Sequence, residues 1–278
     1  MRISASAPIL EVERMSLRLG QSRILEDVSF ALYSGELIAL VGPNGAGKTS
    51  TLKSLLGIYR AEWTSAEIIG KPLSKLSALQ RARQMSYLPQ QEERFLDFRA
   101  SEFVEMALYS QGDRFGILSA TQKKVSAALE RVGMLGFSER RLTTLSGGEL
   151  QKIYLAGTLA QDARVILLDE PTSFLDPLHQ AEVIAILIES VKNASVGAMF
   201  VTHDLNLALW SADRIIALKK GRKIFDGAPD EFCSERTLKS IYDIQLRTGR
   251  DSHTGRPFVF PAIHAGRSGH SEGGTQSS

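Results

Sequence analysis

Gly42-Pro43-Asn44-Gly45-Ala46-Gly47-Lys48-Thr49 stands between two segments of opposite periodicity, and that placement constrains the chain more than any other feature. Before it, Leu37-Ile38-Ala39-Leu40-Val41 is apolar at every position, as expected of a central strand buried on both faces. After it, Leu52, Leu55 and Leu56 recur at helical spacing until Gly57, a residue suited to ending a helix. A strand, a loop with the G-x4-G-K-[ST] spacing and a helix, in that order, form a phosphate-binding loop. Its glycines let backbone N–H groups turn toward an anion at the positive end of the helix. Lys48 brings a cation to the β- and γ-phosphates, and Thr49 offers its hydroxyl to Mg2+.

A second fully apolar run, Val165 to Leu168, ends in Asp169-Glu170, so two carboxylates emerge where open α/β sheets place their ligands. Asp169 is suited to hold Mg2+ through its waters, and Glu170 to orient or deprotonate an attacking water. Between these landmarks, residues 91–144 carry helical periods such as Phe103, Ala107, Val125, Leu129 and Val132, with no buried strand, which predicts an inserted helical subdomain. Leu150, Ile153, Tyr154, Gly157 and Ala160 extend a helical stripe up to the second strand. Upstream, Met15, Leu17 and Leu19, then Val28, Phe30 and Leu32, alternate as half-buried strands. Downstream, 181–191 reads as a helix, 198–201 and 215–218 as strands, and Gly221 as a hairpin-like turn. The alternation is α/β.

Composition removes several classes. An apolar fraction of 43% and a charged fraction of 23% are those of a globular chain with a real core, and a net charge of +2 predicts no nucleic-acid or lipid partner. The single Cys233 has no second thiol to pair with, and its ordinary role is packing. No apolar stretch near Met1 is long enough for a secretory signal, and no window approaches a membrane span, so membrane association must go through a partner. These features point to a cytoplasmic chain.

Leu145-Ser146-Gly147-Gly148-Glu149, just ahead of the Asp169-Glu170 strand, resembles the signature motif of ABC ATPases. Gln90 in Tyr87-Leu88-Pro89-Gln90 resembles the Q-loop glutamine, Ser173-Phe174-Leu175-Asp176 the D-loop, and His203 in Val201-Thr202-His203-Asp204 the switch histidine. The resemblance covers about Ile9 to Pro261. It implies a P-loop NTPase core with an N-terminal antiparallel β subdomain and a helical subdomain inserted at about 91–160, in a domain of residues 9–264 followed by a disordered tail, 265–278. It assigns Gly42, Pro43, Asn44, Gly45, Ala46, Gly47, Lys48, Thr49 and Ser50 to ATP, and Thr49, Gln90 and Asp169 to Mg2+. It also assigns Glu170, His203 and Gln90 to hydrolysis.

The resemblance also assigns Ser146, Gly147, Gly148 and Asp176 to the ATP held by a second copy, and a chain with one copy of each motif should need that partner. Independently of the resemblance, a Ser-Gly-Gly helix entry offers a hydroxyl and free N–H donors at a positive helix end. The position that commonly carries an adenine-stacking aromatic in the family holds Leu19 here, which predicts weakened base discrimination.

Leu175-Asp176-Pro177-Leu178-His179-Gln180, His203-Asp204-Leu205-Asn206 and Thr254-Gly255-Arg256-Pro257 resemble the subfamily that energises import of iron-siderophores, haem and cobalamin. That resemblance implies a homodimer at the cytoplasmic face of the inner membrane, integral-membrane permease subunits, and indirectly a substrate-binding protein. Ala107 to Gly112 departs from the Gly-Arg-x-Pro pattern common there, so zinc or manganese import stays open, as does a soluble ABC ATPase acting on a nucleic-acid or cofactor-assembly partner. The 54 residues between Gln90 and Leu145 are too few for the long coiled-coil insertion of the DNA-repair type. His179 reads as a solvated residue at a helix start.

Overall fold

The computed structural model describes residues 7–90, 97–111, 118–193 and 196–262, so the expected tail and parts of the helical insertion lie outside the described residues. In chain order the first elements are β1 (Leu10–Leu19), β2 (Ser22–Leu32), β3 (Leu37–Val41), α1 (Lys48–Leu55), β4 (Ser65–Ile68), β5 (Lys71–Pro72), α2 (Ala78–Ala82) and β6 (Met85–Leu88). Three helices follow, α3 (Ala100–Ala107), α4 (Leu118–Arg131) and α5 (Gly147–Ala160), then β7 (Val165–Asp169), α6 (Pro177–Asn193), β8 (Gly197–Val201) and α7 (Leu205–Ser211). The last elements are β9 (Arg214–Lys219), β10 (Arg222–Gly227), α8 (Pro229–Phe232), α9 (Glu235–Ile241), β11 (Leu246–Arg250) and β12 (Pro257–Pro261).

Six strands form the central sheet in the order β10-β9-β3-β8-β7-β6. All neighbours from β9 to β6 run parallel, and β10 closes one edge as the antiparallel half of the hairpin expected at Gly221. The uniformly apolar runs are the inner strands because both of their faces are covered, each by a different core. Ile38 and Leu40 of β3, with Val165 and Leu167 of β7, face a core shared with the antiparallel sheet β2-β1-β4-β5 and with α1. Leu37, Ala39 and Val41, with Ile166 and Leu168, face the other core, shared with the helical insertion and α6. In that insertion α3 and α4 both pack on α5, with Phe103 and Tyr154 in edge-to-face contact at 4.8 Å.

This topology sets the site. β3, β8, β7 and β6 are successive parallel neighbours, so the residues that follow them emerge along one edge of the sheet. They are the glycine loop after β3, His203 after β8, Asp169-Glu170 at the end of β7, and Gln90 after β6. Among the described residues no helix is long and apolar enough to cross a membrane.

Candidate functional site

α1 begins at Lys48 behind Gly47, which sits in the left-handed region at φ 100° and gives the helix no side-chain cap. The first-turn N–H groups of a helix have no acceptor within the helix, so an uncapped entry presents them to whatever lies in the loop. The loop is held rigidly from outside. Gly42 lies against β9 so closely that a Cβ there would stand 2.1 Å from the Leu218 carbonyl oxygen, and its φ of 143° already disfavours other residues. Its N–H also meets the partly buried Tyr242 phenol. Gly221 N–H donates to the Ala46 carbonyl at 3.2 Å, tying the β9–β10 turn to the loop. Lys48 Nζ donates to the carbonyls of Gly42 at 2.8 Å and Pro43 at 3.1 Å. Burial pushes the Lys48 ammonium below its ordinary pKa, partly offset by Glu170 and Asp169.

Thr49 Oγ1 donates to Asp169 Oδ1 at 2.9 Å, and the Tyr87 phenol donates to Oδ2 at 3.3 Å. Burial raises the Asp169 carboxyl above the usual carboxylate range, with the Thr49 hydrogen bond acting against that shift. Among the described residues no three His, Cys, Asp or Glu side chains gather into a metal cage. One hydroxyl beside one carboxylate fits Mg2+, an ion that keeps waters and takes phosphate oxygens for its other ligands.

Glu170 gathers the remaining expected residues. Its Oε2 accepts from Gln90 Nε2 at 3.0 Å and Ser173 Oγ at 2.7 Å, while His203 Nε2 lies 2.5 Å from Oε1. Its backbone sits at φ 52°, in the left-handed region that a glutamate rarely adopts, and its N–H donates to Val201 O at 3.1 Å. Strain of this kind persists where surrounding contacts over-determine a geometry. Residues from two other strand ends and a turn therefore converge on one carboxylate.

Ser146, Gly147 and Gly148 begin α5. Ser146 closes a capping box, its hydroxyl accepting from Glu149 N–H at 3.3 Å while its own N–H donates to Glu149 Oε2 at 2.8 Å. These bonds hold the Glu149 carboxyl below its ordinary pKa. Gly147 and Gly148 keep first-turn N–H groups without intrahelical acceptors.

Asp176 caps α6, accepting from the His179 backbone at 3.0 Å and lying 2.7 Å from its ring Nδ1. His179 stands at the start of α6 as read, with its side chain part-exposed rather than fully in solvent. The ring packs over the signature turn, and a Cβ on Gly148 would meet its Cδ2 at 2.3 Å. No local pattern signals that contact, which joins residues of two different helices. Ser173 and Tyr87, inside the D-loop and Q-loop runs, hydrogen-bond Glu170 and Asp169, contacts that the motif pattern alone does not reveal. Leu19 ends β1 40% exposed, free to meet a ligand but without an aromatic face.

A glycine loop, strand-end carboxylates and a converging Gln and His are the arrangement expected of a phosphate-loop enzyme that hydrolyses nucleoside triphosphates. The comparisons with known proteins agree. The ABC transporter profile matches residues 25–173, more than half of the chain. An iron(3+)-hydroxamate import ATP-binding protein of Bacillus subtilis is 33% identical over 249 residues, covering 89% of this chain and 93% of the relative. A hemin import ATP-binding protein of Rhodopseudomonas palustris is 35% identical over 262 residues, covering 91% and 94%. A cobalamin import ATP-binding protein of Halobacterium salinarum is 35% identical over 255 residues, covering 91% of this chain but 63% of that longer relative. The solved structure of cbiO1 from Clostridium perfringens superposes with a TM-score of 0.75 at 24% identity, covering 84% of this chain and 93% of that one, a likeness of fold. The chain belongs to the ABC transporter family, as one of its ATP-binding, ATP-hydrolysing subunits.

Proposed function

We propose that this chain energises uptake of a metal chelate of the iron-siderophore, haem or cobalamin class, as a homodimer seated on permease subunits at the cytoplasmic face of the membrane. A substrate-binding protein would deliver the cargo on the far side. The names of the relatives supply the cargo class, and the convergence of Gln90, Ser173 and His203 on Glu170 carries the reading of the site. The homodimer is supported by two features of the D-loop face: Phe174 is 95% exposed with its backbone at φ 64°, and Leu178 is 67% exposed. Apolar side chains this bare, beside a signature turn with free N–H groups, suit a second copy.

Hydrolysis cleaves the terminal P–O bond of ATP with water, releasing ADP and phosphate. The backbone N–H groups of Gly45 and of Gly47 to Ser50 cradle the phosphates, and Lys48 neutralises charge on them. Thr49 and Asp169 would hold Mg2+, which supplies electrostatic stabilisation of the phosphate oxygens when bound. Glu170 accepts a hydrogen bond from the attacking water and takes its proton. His203 and Gln90 hold the Glu170 carboxylate in place, and Gly147 and Gly148 of the second copy close over the γ-phosphate.

The test is co-purification with the membrane partner, reconstitution in vesicles, and measurement of ATP-dependent uptake of labelled ferric siderophore, haem and cobalamin against zinc and manganese. Uptake of one chelate is expected. Uptake of a free divalent ion alone, or co-purification with ribosomes or DNA, would contradict the reading.

A further inference from the structure

His203 lies on the short link between β8 and α7, and those two elements set its backbone. β8 is locked in the sheet between β3 and β7. α7, with seven residues, is too short to hold its own direction and depends on what it packs against. Asp204 caps it, accepting from Leu207 N–H at 3.0 Å, and the Asp204 N–H donates to Thr202 Oγ1 at 3.0 Å. These bonds set the turn locally, and Leu207, Ala208 and Leu209 bury the inner face of the helix in the core.

The outer side of the helix, which carries Asn206 and Trp210, is fastened by the C-terminal hairpin, which lies beyond the residues matched by the family profile. Asn206, three residues after His203, meets the edge of β12 with both ends of its amide: Nδ2 donates to Val259 O at 3.0 Å, and Oδ1 accepts from Val259 N–H at 2.8 Å. Val259 stands opposite Thr248 in the hairpin, and its main-chain groups turn outward to Asn206. One side chain thus supplies the pairing that a third strand would give. Asn has a donor and an acceptor for this; Asp would lose the donor. At the far end of α7, Arg256 donates to the Trp210 carbonyl and stacks over its ring at 5.6 Å. The loop that presents Arg256 is built around Asp251, whose Oδ1 accepts from the Thr254 N–H and hydroxyl, both at 2.7 Å.

We infer that Asn206 is a positioning residue for ATP hydrolysis: by fastening α7 to β12 it fixes where His203 places its imidazole against Glu170. The inference rests on the assignment of His203 and Glu170 to hydrolysis. Asn206 touches neither the phosphate loop nor the strand-end carboxylates through the bonds described, so its effect must pass through His203.

The experiment is a double-mutant cycle in the full-length chain, with Asn206→Ala, His203→Ala and the pair, reading steady-state ATP turnover. Asn206→Ala is expected to lower kcat roughly tenfold, the size of effect that small misplacements produce, with KM for ATP within about twofold of the parent. In the His203→Ala background the same change should cost nothing further, since its effect runs through the residue already removed. Asn206→Asp, which preserves size, should fall with Asn206→Ala. Arg256→Ala, at an exposed position that cannot open the core, should show a smaller loss with the same non-additivity, and it stands in if the Asn206 variants do not fold. Equal losses in the parent and His203→Ala backgrounds would assign Asn206 a merely structural role and overturn the inference, as would full kcat in folded Asn206→Ala and Asn206→Asp. Unchanged turnover in His203→Ala alone would instead overturn the site assignment on which the inference stands.

Discussion

Asp169 and Glu170 are adjacent in sequence yet meet different surroundings. Asp169 ends a fully buried strand, whereas Glu170 turns out through a left-handed backbone into a ring of hydrogen-bond donors. Burial raises the Asp169 carboxyl, so its ionised form costs the fold stability at neutral pH. The cost is present above the raised pKa and relieved as pH falls through it, because the folded chain then binds the proton more tightly than the unfolded chain. Asp169→Asn keeps an acceptor for Thr49 and removes the charge. It should raise the melting temperature of the nucleotide-free chain while abolishing turnover, as expected where a functional site stores an unfavourable charge. Calorimetry and an ATPase assay on the same preparation check both; a lowered melting temperature would contradict the burial argument.

β3 and β7 were legible as strands because both faces of each are buried, which leaves no polar position to blur the run. β6 was not, since Met85-Ser86-Tyr87-Leu88 carries a buried serine and a tyrosine committed to Asp169. The hairpin of β11 and β12 was also missed: Leu246-Arg247-Thr248-Gly249-Arg250 is mostly solvent-facing, and its partner Asn206 lies 53 residues from Val259. The catalytic motifs could be read because each is a contiguous run at the end of an element. The contact of His179 with Gly148 could not, because it joins the starts of α6 and α5 through packing alone. That junction makes its own prediction. Gly148→Ala should lower ATP turnover by forcing the ring off the signature turn, and adding His179→Ala should restore part of it by making room. If the double variant is no better than Gly148→Ala, the ring is not what the glycine accommodates.

In the assembled fold, parallel strands β3, β8, β7 and β6 deliver the loop, the switch histidine, the carboxylates and the glutamine to one edge, while α5 and α6 carry the signature turn and D-loop together on another face. Each chain holds a glycine loop suited to a triphosphate and, separately, a second helix entry suited to an anion. In the proposed homodimer the two would become one site between copies, with the bare Phe174 and Leu178 beside the join. Glu170→Gln keeps the shape of the side chain but removes the base, so ATP should bind without being consumed and hold two copies closed. The direct test is the molar mass of Glu170→Gln by light scattering at saturating ATP and Mg2+. A dimer that reverts to monomer when Mg2+ is chelated is expected, and a chain that stays monomeric with ATP and Mg2+ bound would contradict the shared site between copies.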